Sequence, residues 1–287
     1  NQPFGMAYVP GTLFVANTDG VLRFPFQAGQ TRIAEAGQTI LDLPAGGYNN
    51  HWTRNLLLSR DNQTLFVSVG SASNVGEQGM ELETGRAAIH AIGTRGDNHR
   101  VFATGLRNPV GMDWNPVTGA LWTAVNERDK LGDDLVPDYI TAVREGGDYG
   151  WPHSYWGRNE DPRLAGQNPR RVAGAITPDY ALGAHTASLG LAFCTGAAFP
   201  ERFRGGAFVG QHGSWNRREF VGYRVAFVPF RDGRPSGPPE DFLSGFMADA
   251  ANGHIHGRPA GVHMDGRGGL LVADGTGNTV WRVSPAA

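Results

Sequence analysis

Cysteine occurs once in the 287 residues, at Cys194, so no internal disulfide can staple the chain. That lone thiol sits in the apolar run Leu191-Ala192-Phe193-Cys194 and reads as a small buried hydrophobe rather than a nucleophile. Lysine also occurs once, at Lys130 in a charged loop, which argues against Schiff-base chemistry. No run approaches the ~18–20 apolar residues that a spanning helix requires, so no membrane span is expected. A formal net charge of −2 offers no basic face for phosphates, and nucleic acid is not expected as a partner. There is no Cys-x-x-Cys-His haem signature, and no Gly-x-Gly-x-x-Gly joins a strand to a helix; a fused cytochrome and a nicotinamide site are both disfavoured. The chain opens at Asn1 with neither an initiator Met nor a signal-like leader, so a processed form or a fragment is expected.

What is abundant points to β structure. With 42 glycines, 18 prolines, 40% hydrophobic and only 18% charged residues, the composition suits many short buried strands joined by tight turns. A pattern with a small residue inside an apolar strand recurs five times. Its copies are Pro3–Tyr8, Thr53–Leu58, Pro109–Trp114, Ser188–Phe193 and Pro259–Met264. Second strands follow at Thr12–Asn17, Thr64–Gly70, Ala120–Asn126, Gly206–Gly210 and Gly269–Asp274. Third strands follow at Val21–Phe26, Ala87–Ile92, Tyr139–Arg144, Tyr223–Phe230 and Thr279–Val283. Fourth strands are expected at Thr39–Leu43, Arg100–Thr104, Asp241–Phe246 and around Ile176–Ala181. Four-stranded units repeating every ~50 residues predict an all-β fold, a β-propeller forming one domain over 1–287. Five blades are countable and the fifth lacks a fourth strand, so either about one N-terminal blade is expected to be missing or closure uses an unusual arrangement.

Antiparallel pairing puts the start of each first strand beside the end of each second strand. Asn50-His51, Arg107-Asn108, His185-Thr186 and Gly257-Arg258 precede first strands. Ser71–Asn74, Asn126-Glu127-Arg128, Gln211–Arg217 and Asp274 come after second strands. The expectation is one polar rim, built from several blades and rich in His, Arg and Asn.

The segments His51–Leu56, Val69–Asn74, Gly105–Pro109, Gly146–Pro152, Gly210–Arg217 and Gly257–Pro259 together resemble the soluble quinoprotein sugar dehydrogenases, most closely the sorbosone-dehydrogenase-like branch. The resemblance runs in order along nearly the whole chain. It implies a six-bladed propeller using pyrroloquinoline quinone (PQQ) and calcium, with His51 as general base in hydride abstraction from an aldose or related substrate. It further implies cofactor contacts from Asn50, Asn74, Arg107, Asn108, Arg217 and Arg258, arginine being the natural fork for a tricarboxylate. Calcium would rest on the carbonyls of Glu127 and Arg128, where relatives often have Gly-Pro. A second, structural calcium, or else only a solvated acidic loop, is expected around Asp134 and Asp138 with the Tyr149 carbonyl. Arg54 is a further cation near the rim, as a ligand contact or a structural ion pair, and His185 and His212 read as pocket or packing residues. The resemblance also implies an external electron acceptor and a periplasmic or secreted setting. Two other readings stand beside it: a calcium-dependent propeller hydrolase of lactonase type, and a non-catalytic ligand-binding propeller.

Overall fold

The computed structural model describes residues 1–285. They form five successive sheets of propeller-blade topology, antiparallel except that the two-residue strand Gly147–Asp148 adds in parallel to the outer edge of the second. Sheet I comprises Gly5–Val9, Gly11–Asn17, Gly20–Phe26 and Gln38–Asp42; sheet II comprises Arg54–Leu58, Thr64–Val69, Ala88–Gly93 and Arg100–Thr104. Sheet III runs Pro109–Trp114, Leu121–Val125, Pro137–Ala142 and Tyr180–Ala184, and sheet IV Ser188–Phe193, Ala207–Gln211, Arg224–Val228 and Glu240–Leu243. Sheet V has three strands among the described residues, Pro259–Met264, Leu270–Asp274 and Thr279–Val283. The fold is thus the all-β propeller type read from the repeat.

The chain divides into two compact units. Unit 1 is Asn1–Val110 with Arg144–Ile176; unit 2 is Gly111–Val143 with Thr177–Ala287. In unit 1 sheets I and II share a core of Phe14, Val21, Leu41, Leu56, Leu65 and Val67. In unit 2 Trp122, Ile140, Leu191, Phe193 and Val209 join sheets III and IV, while Phe208, Phe227, Leu270 and Val272 join IV and V. Cys194 lies in this second cluster, and burial raises its thiol pKa, as suits a packing residue.

The recurring glycine has a packing cause. A Cβ on Gly5 would lie 2.6 Å from the Asn55 Cα of sheet II. One on Gly111 would lie 2.3 Å from the Leu191 nitrogen, and one on Gly190 2.3 Å from the Ala260 oxygen. First strands of neighbouring blades therefore meet backbone to backbone, at a separation no side chain permits. Asn55 replaces glycine in the second copy and donates its amide to the Val110 carbonyl at 2.8 Å.

Two local departures from the sequence reading have clear reasons. The fourth strand of sheet III starts at Tyr180 rather than Ile176, because Pro178 has no N–H and the Asp179 carboxylate takes the Ala142 N–H at 2.8 Å. The segment between the last two strands of sheet III also carries a short hairpin and a one-and-a-half-turn helix, Pro169–Gly174. Asn168 caps that helix through the Arg171 N–H, and Pro169 sits in its first turn.

Candidate functional site

In unit 1 three loops come together around His51. The Ser71 N–H donates to the Arg107 carbonyl at 2.8 Å, and the Asn50 N–H donates to the Ala72 carbonyl at 2.7 Å. Gly70 makes the junction possible: a Cβ there would stand 2.3 Å from Asn108 Oδ1 and 2.6 Å from His51 Cβ. His51 and Asn108 therefore approach one another across the space of a missing side chain.

His51 is half-buried. Its Nδ1 lies 2.8 Å from the Ser71 carbonyl and 3.0 Å from Ser71 Oγ. A carbonyl only accepts, so Nδ1 carries the proton and Nε2 keeps the lone pair in the neutral ring. Burial, then the Arg107 guanidinium, with smaller effects from Arg54 and Arg86, holds the imidazole pKa well below 6.5, against a raising contribution from the Ser71 carbonyl. At neutral pH the ring is a neutral base.

The cations around it have settled roles. Arg54 is fully buried and donates through Nη1 to the His51 and Thr53 carbonyls and through Nη2 to the Pro44 carbonyl. Burial, and then the neighbouring Arg86 charge, lower its pKa to about 10. It is a backbone clamp under the His51 loop, not the ion pair considered from the sequence. Arg107 is also buried, with Nε on the Asn74 carbonyl at 3.2 Å and Nη2 on Asn74 Oδ1 at 2.9 Å. Arg107 and Asn74 thus meet as expected, but as partners of each other. The Trp151 indole donates to the same Asn74 carbonyl at 3.0 Å, so the Gly146–Pro152 segment supports this loop from behind. Asn108 Oδ1 is buried with no hydrogen-bond partner, which marks its amide as a polar group still awaiting one. Asn50 is exposed. Tyr149 is buried; its N–H donates to the Thr104 carbonyl, and its phenol accepts from the Arg144 N–H at 3.2 Å.

Two glutamates that the sequence reading passed over brace this cluster. Glu83 is buried and accepts from the Ala72 N–H at 2.7 Å, the Ser73 N–H at 3.0 Å and Ser73 Oγ at 2.6 Å. Glu77 accepts from the Asn74 and Val75 N–H groups. Arg86 donates to Asn49 Oδ1 at 2.6 Å and so holds the 49–51 loop.

Unit 2 contains a second polar cluster. Asp138 is buried, with Oδ1 accepting from the Glu127 N–H (2.8 Å) and Asn126 Nδ2 (3.3 Å) and Oδ2 from Thr186 Oγ1 and the Ser188 N–H (2.8 Å each). Four donors fill the four acceptor positions of a carboxylate. Asp138 thereby knots the loop after the second strand of sheet III to the loop before sheet IV. Asp134 is different again, its side chain 91% exposed and paired with Arg217 Nη2 at 3.4 Å. Arg217 also donates to the Asp133 carbonyl, so this arginine is employed within the acidic loop. Glu127 and Arg128 are buried, with the Arg128 N–H donating to Glu127 Oε2 at 2.9 Å. Among the described residues, no three His, Cys, Asp or Glu side chains gather as a metal cage. Any calcium here would have to rest largely on carbonyls.

Arg258 donates through Nε to the His212 carbonyl at 2.8 Å and through Nη2 to the Gly213 carbonyl at 2.5 Å, with its guanidinium 5.3 Å from the Tyr223 ring centre. The two donations leave one terminal nitrogen, Nη1, for a ligand. His212 Nδ1 donates to the Pro259 carbonyl at 3.2 Å, and burial, then the Arg258 charge, lower the pKa of the ring. His185 turns Nε2 to the Gly132 carbonyl at 2.8 Å and Nδ1 to Asp129 at 3.4 Å. Both its nitrogens are used inside the acidic loop, so it is a brace.

Comparison with known proteins fits this arrangement. The sequence profile described as Glucose / Sorbosone dehydrogenase matches residues 14–214, and one described as TrAA12-like matches 168–285. An uncharacterized protein of Borreliella burgdorferi is 29% identical over 243 residues, covering 84% of this chain and 62% of its own length. The pyrroloquinoline quinone-dependent sugar dehydrogenase of Hypocrea jecorina is 28% identical over 170 residues, covering 50% of this chain and 39% of its own. The chain thus spans less than two thirds of either relative. Among solved structures, the holo pyranose dehydrogenase PQQ domain from Coprinopsis cinerea superposes with a TM-score of 0.80 at 20% identity, over 98% of this chain and 81% of that one.

Proposed function

The chain belongs to the glucose/sorbosone dehydrogenase family, and from that premise we propose that it is an oxidoreductase oxidising an aldose or related sugar by hydride transfer to calcium-supported PQQ. The observation that carries this reading is His51: a neutral imidazole with its proton fixed on Nδ1, its Nε2 lone pair available, and the unsatisfied Asn108 amide beside it. When bound, PQQ would supply an ortho-quinone to take up the hydride, and calcium would supply Lewis acidity to that quinone.

The protein's part is proton transfer and orientation. As the hydride leaves the substrate carbon, the hydroxyl on that carbon would pass its proton to His51 Nε2, so a hydride (two electrons and one proton) and a second proton leave by separate routes. Asn108 would orient the cofactor beside the base. Arg107 would offer positive charge, with its geometry set by Asn74. On the same reading, Asn50 and the free edge of Arg258 contact the cofactor, Arg217 contributes charge, and the carbonyls of Glu127 and Arg128 hold calcium. The hydrolase alternative calls for a metal caged by side chains, and the donor set described above does not favour it. The electrons would then pass to an external acceptor, in a periplasmic or secreted setting.

The test is to titrate the apo-protein with PQQ and calcium, following cofactor absorbance, and then to measure dye reduction with a panel of aldoses. Saturable cofactor uptake with aldose-dependent reduction is expected. Failure to bind PQQ at all rejects the proposal.

A further inference from the structure

We infer that Ser71, braced by Glu83, is the device that positions the base: it fixes the tautomer of His51 and aims Nε2, with no carboxylate among the described residues touching the ring. The inference rests on the assignment of His51 as base and adds how this chain prepares it.

Seven linked contacts carry the argument. His51 Nδ1 faces two oxygens of a single residue, the Ser71 carbonyl and the Ser71 hydroxyl. The hydroxyl proton is committed elsewhere, to the Ser73 carbonyl at 2.6 Å, so Ser71 Oγ presents a lone pair to Nδ1. The opposite tautomer would set the Nδ1 lone pair against two acceptors at 2.8 and 3.0 Å. The Nδ1–H form is therefore selected twice over. Ser71 is in turn held through the two residues after it in the chain: the Glu83 carboxylate takes the Ala72 and Ser73 backbone N–H groups and the Ser73 hydroxyl. Ser73 Oγ completes the brace by accepting from the Gly76 N–H at 2.9 Å.

Charge explains why the partner is a serine and the carboxylate stands one layer back. The groups bearing on the ring are the cations Arg107, Arg54 and Arg86, which together with burial favour the neutral imidazole. A carboxylate in direct contact with Nδ1 would stabilise the imidazolium instead. Glu83 faces Arg86 and the loop amides, so its charge is spent on geometry. Glu83 and Ser71 are thus positioning residues that act through His51.

The test reads the ring directly, without cofactor. In 15N-histidine-labelled apo-protein at neutral pH, two-bond nitrogen–proton correlations should show His51 with a protonated Nδ1 and a bare Nε2. Glu83→Gln replaces one acceptor oxygen with an NH2 that opposes the loop amides, and should give a mixture of His51 tautomers. In the loaded enzyme kcat should fall on the order of tenfold to a hundredfold, with KM little changed, the usual size for a misplaced catalytic group. Unchanged His212 resonances will confirm that the variant is folded. Ser71→Asp should keep the Nδ1–H form and move the acid limb of the kcat/KM profile up by about one pH unit or more. A wild-type proton on Nε2, or His51 resonances indifferent to Glu83→Gln in a folded protein, overturns the inference. The base assignment fails separately, if His51→Ala retains full turnover while PQQ binding is intact.

Discussion

Two histidines, one in each compact unit, make a controlled comparison. His51 and His212 are both half-buried, both donate from Nδ1 to a backbone carbonyl, both have a pKa lowered by burial and then by an arginine, and both lie next to a strand end. They differ in what holds them. His51 has two acceptors at 2.8 and 3.0 Å on a residue braced by a buried carboxylate, and a glycine keeps it against Asn108. His212 has its Nδ1 acceptor, the Pro259 carbonyl, at a longer 3.2 Å, with the Arg258 carbonyl also bearing on the ring, and a Cβ on the nearby Gly275 would stand 3.9 Å from it. A lowered pKa is therefore common to the two rings; tighter confinement is what sets His51 apart.

The largest test of that contrast is His51→Ala against His212→Ala. Loss of a general base should lower kcat by about a hundredfold to ten-thousandfold with PQQ retained, while His212→Ala should cost less than about tenfold. Steady-state dye reduction with matched cofactor loading decides it, and equal losses would erase the distinction.

The glycines sharpen the comparison next. Gly70→Ala drives a methyl into Asn108 and His51, and should destabilise the protein by about 1–3 kcal/mol and disable turnover. Gly275→Ala meets nothing nearer than 3.9 Å and should leave both stability and turnover close to wild type. Urea unfolding and turnover assays on the two variants give the answer.

The buried carboxylates come third. Asp138→Asn leaves four donors sharing one acceptor oxygen between two loops, and should cost about 1–3 kcal/mol. Asp274→Asn disturbs the Arg258, Thr276 and Gly277 N–H bonds and a long 3.4 Å contact from the Trp281 indole, all about sheet V alone, and should cost less. Denaturant midpoints rank them, and the reverse order would show that Asp138 is not the knot described.

The smallest effect is on stability against pH. His51 and His212 have folded pKa values below the unfolded 6.5, so below that pH the unfolded chain binds protons that the folded chain refuses. Their contribution is complete above 6.5 and declines as pH falls through 6.5 toward the folded values. Thermal midpoints between about pH 7 and 5 should fall less in His51→Ala than in wild type.

These contrasts also explain what could be read from the chain alone. The blades were legible because Gly5, Gly111 and Gly190 mark backbone contact between adjacent first strands, a constraint local enough to repeat in sequence. The fourth strand of sheet III was displaced by Pro178 and Asp179, and the Pro169–Gly174 helix was signalled by Asn168-Pro169 but is too short to show periodicity. His51, Arg107 and Asn108 stood out by residue type, by place near first strands and by the family resemblance, and the fold brings them together around Gly70. Ser71 was placed on the rim without a role and Glu83 was passed over, because serines and glutamates are common and their contacts exist only in three dimensions. The knot at Asp138 was hidden for the same reason: in sequence it is one more carboxylate of an acidic loop, and its donors come from separate stretches of chain.

Arg54 carries one more consequence. A guanidinium clamped on three carbonyls, with a pKa of about 10, is a permanent charge beneath the His51 loop, and Arg86 and Arg107 stand near the same ring. Together they set a standing positive potential that histidine titration does not switch off. An anion approaching this loop should be drawn in over roughly a Debye length, about 10 Å at 0.1 M salt, so its capture rate, far more than its release, should slow as ionic strength rises.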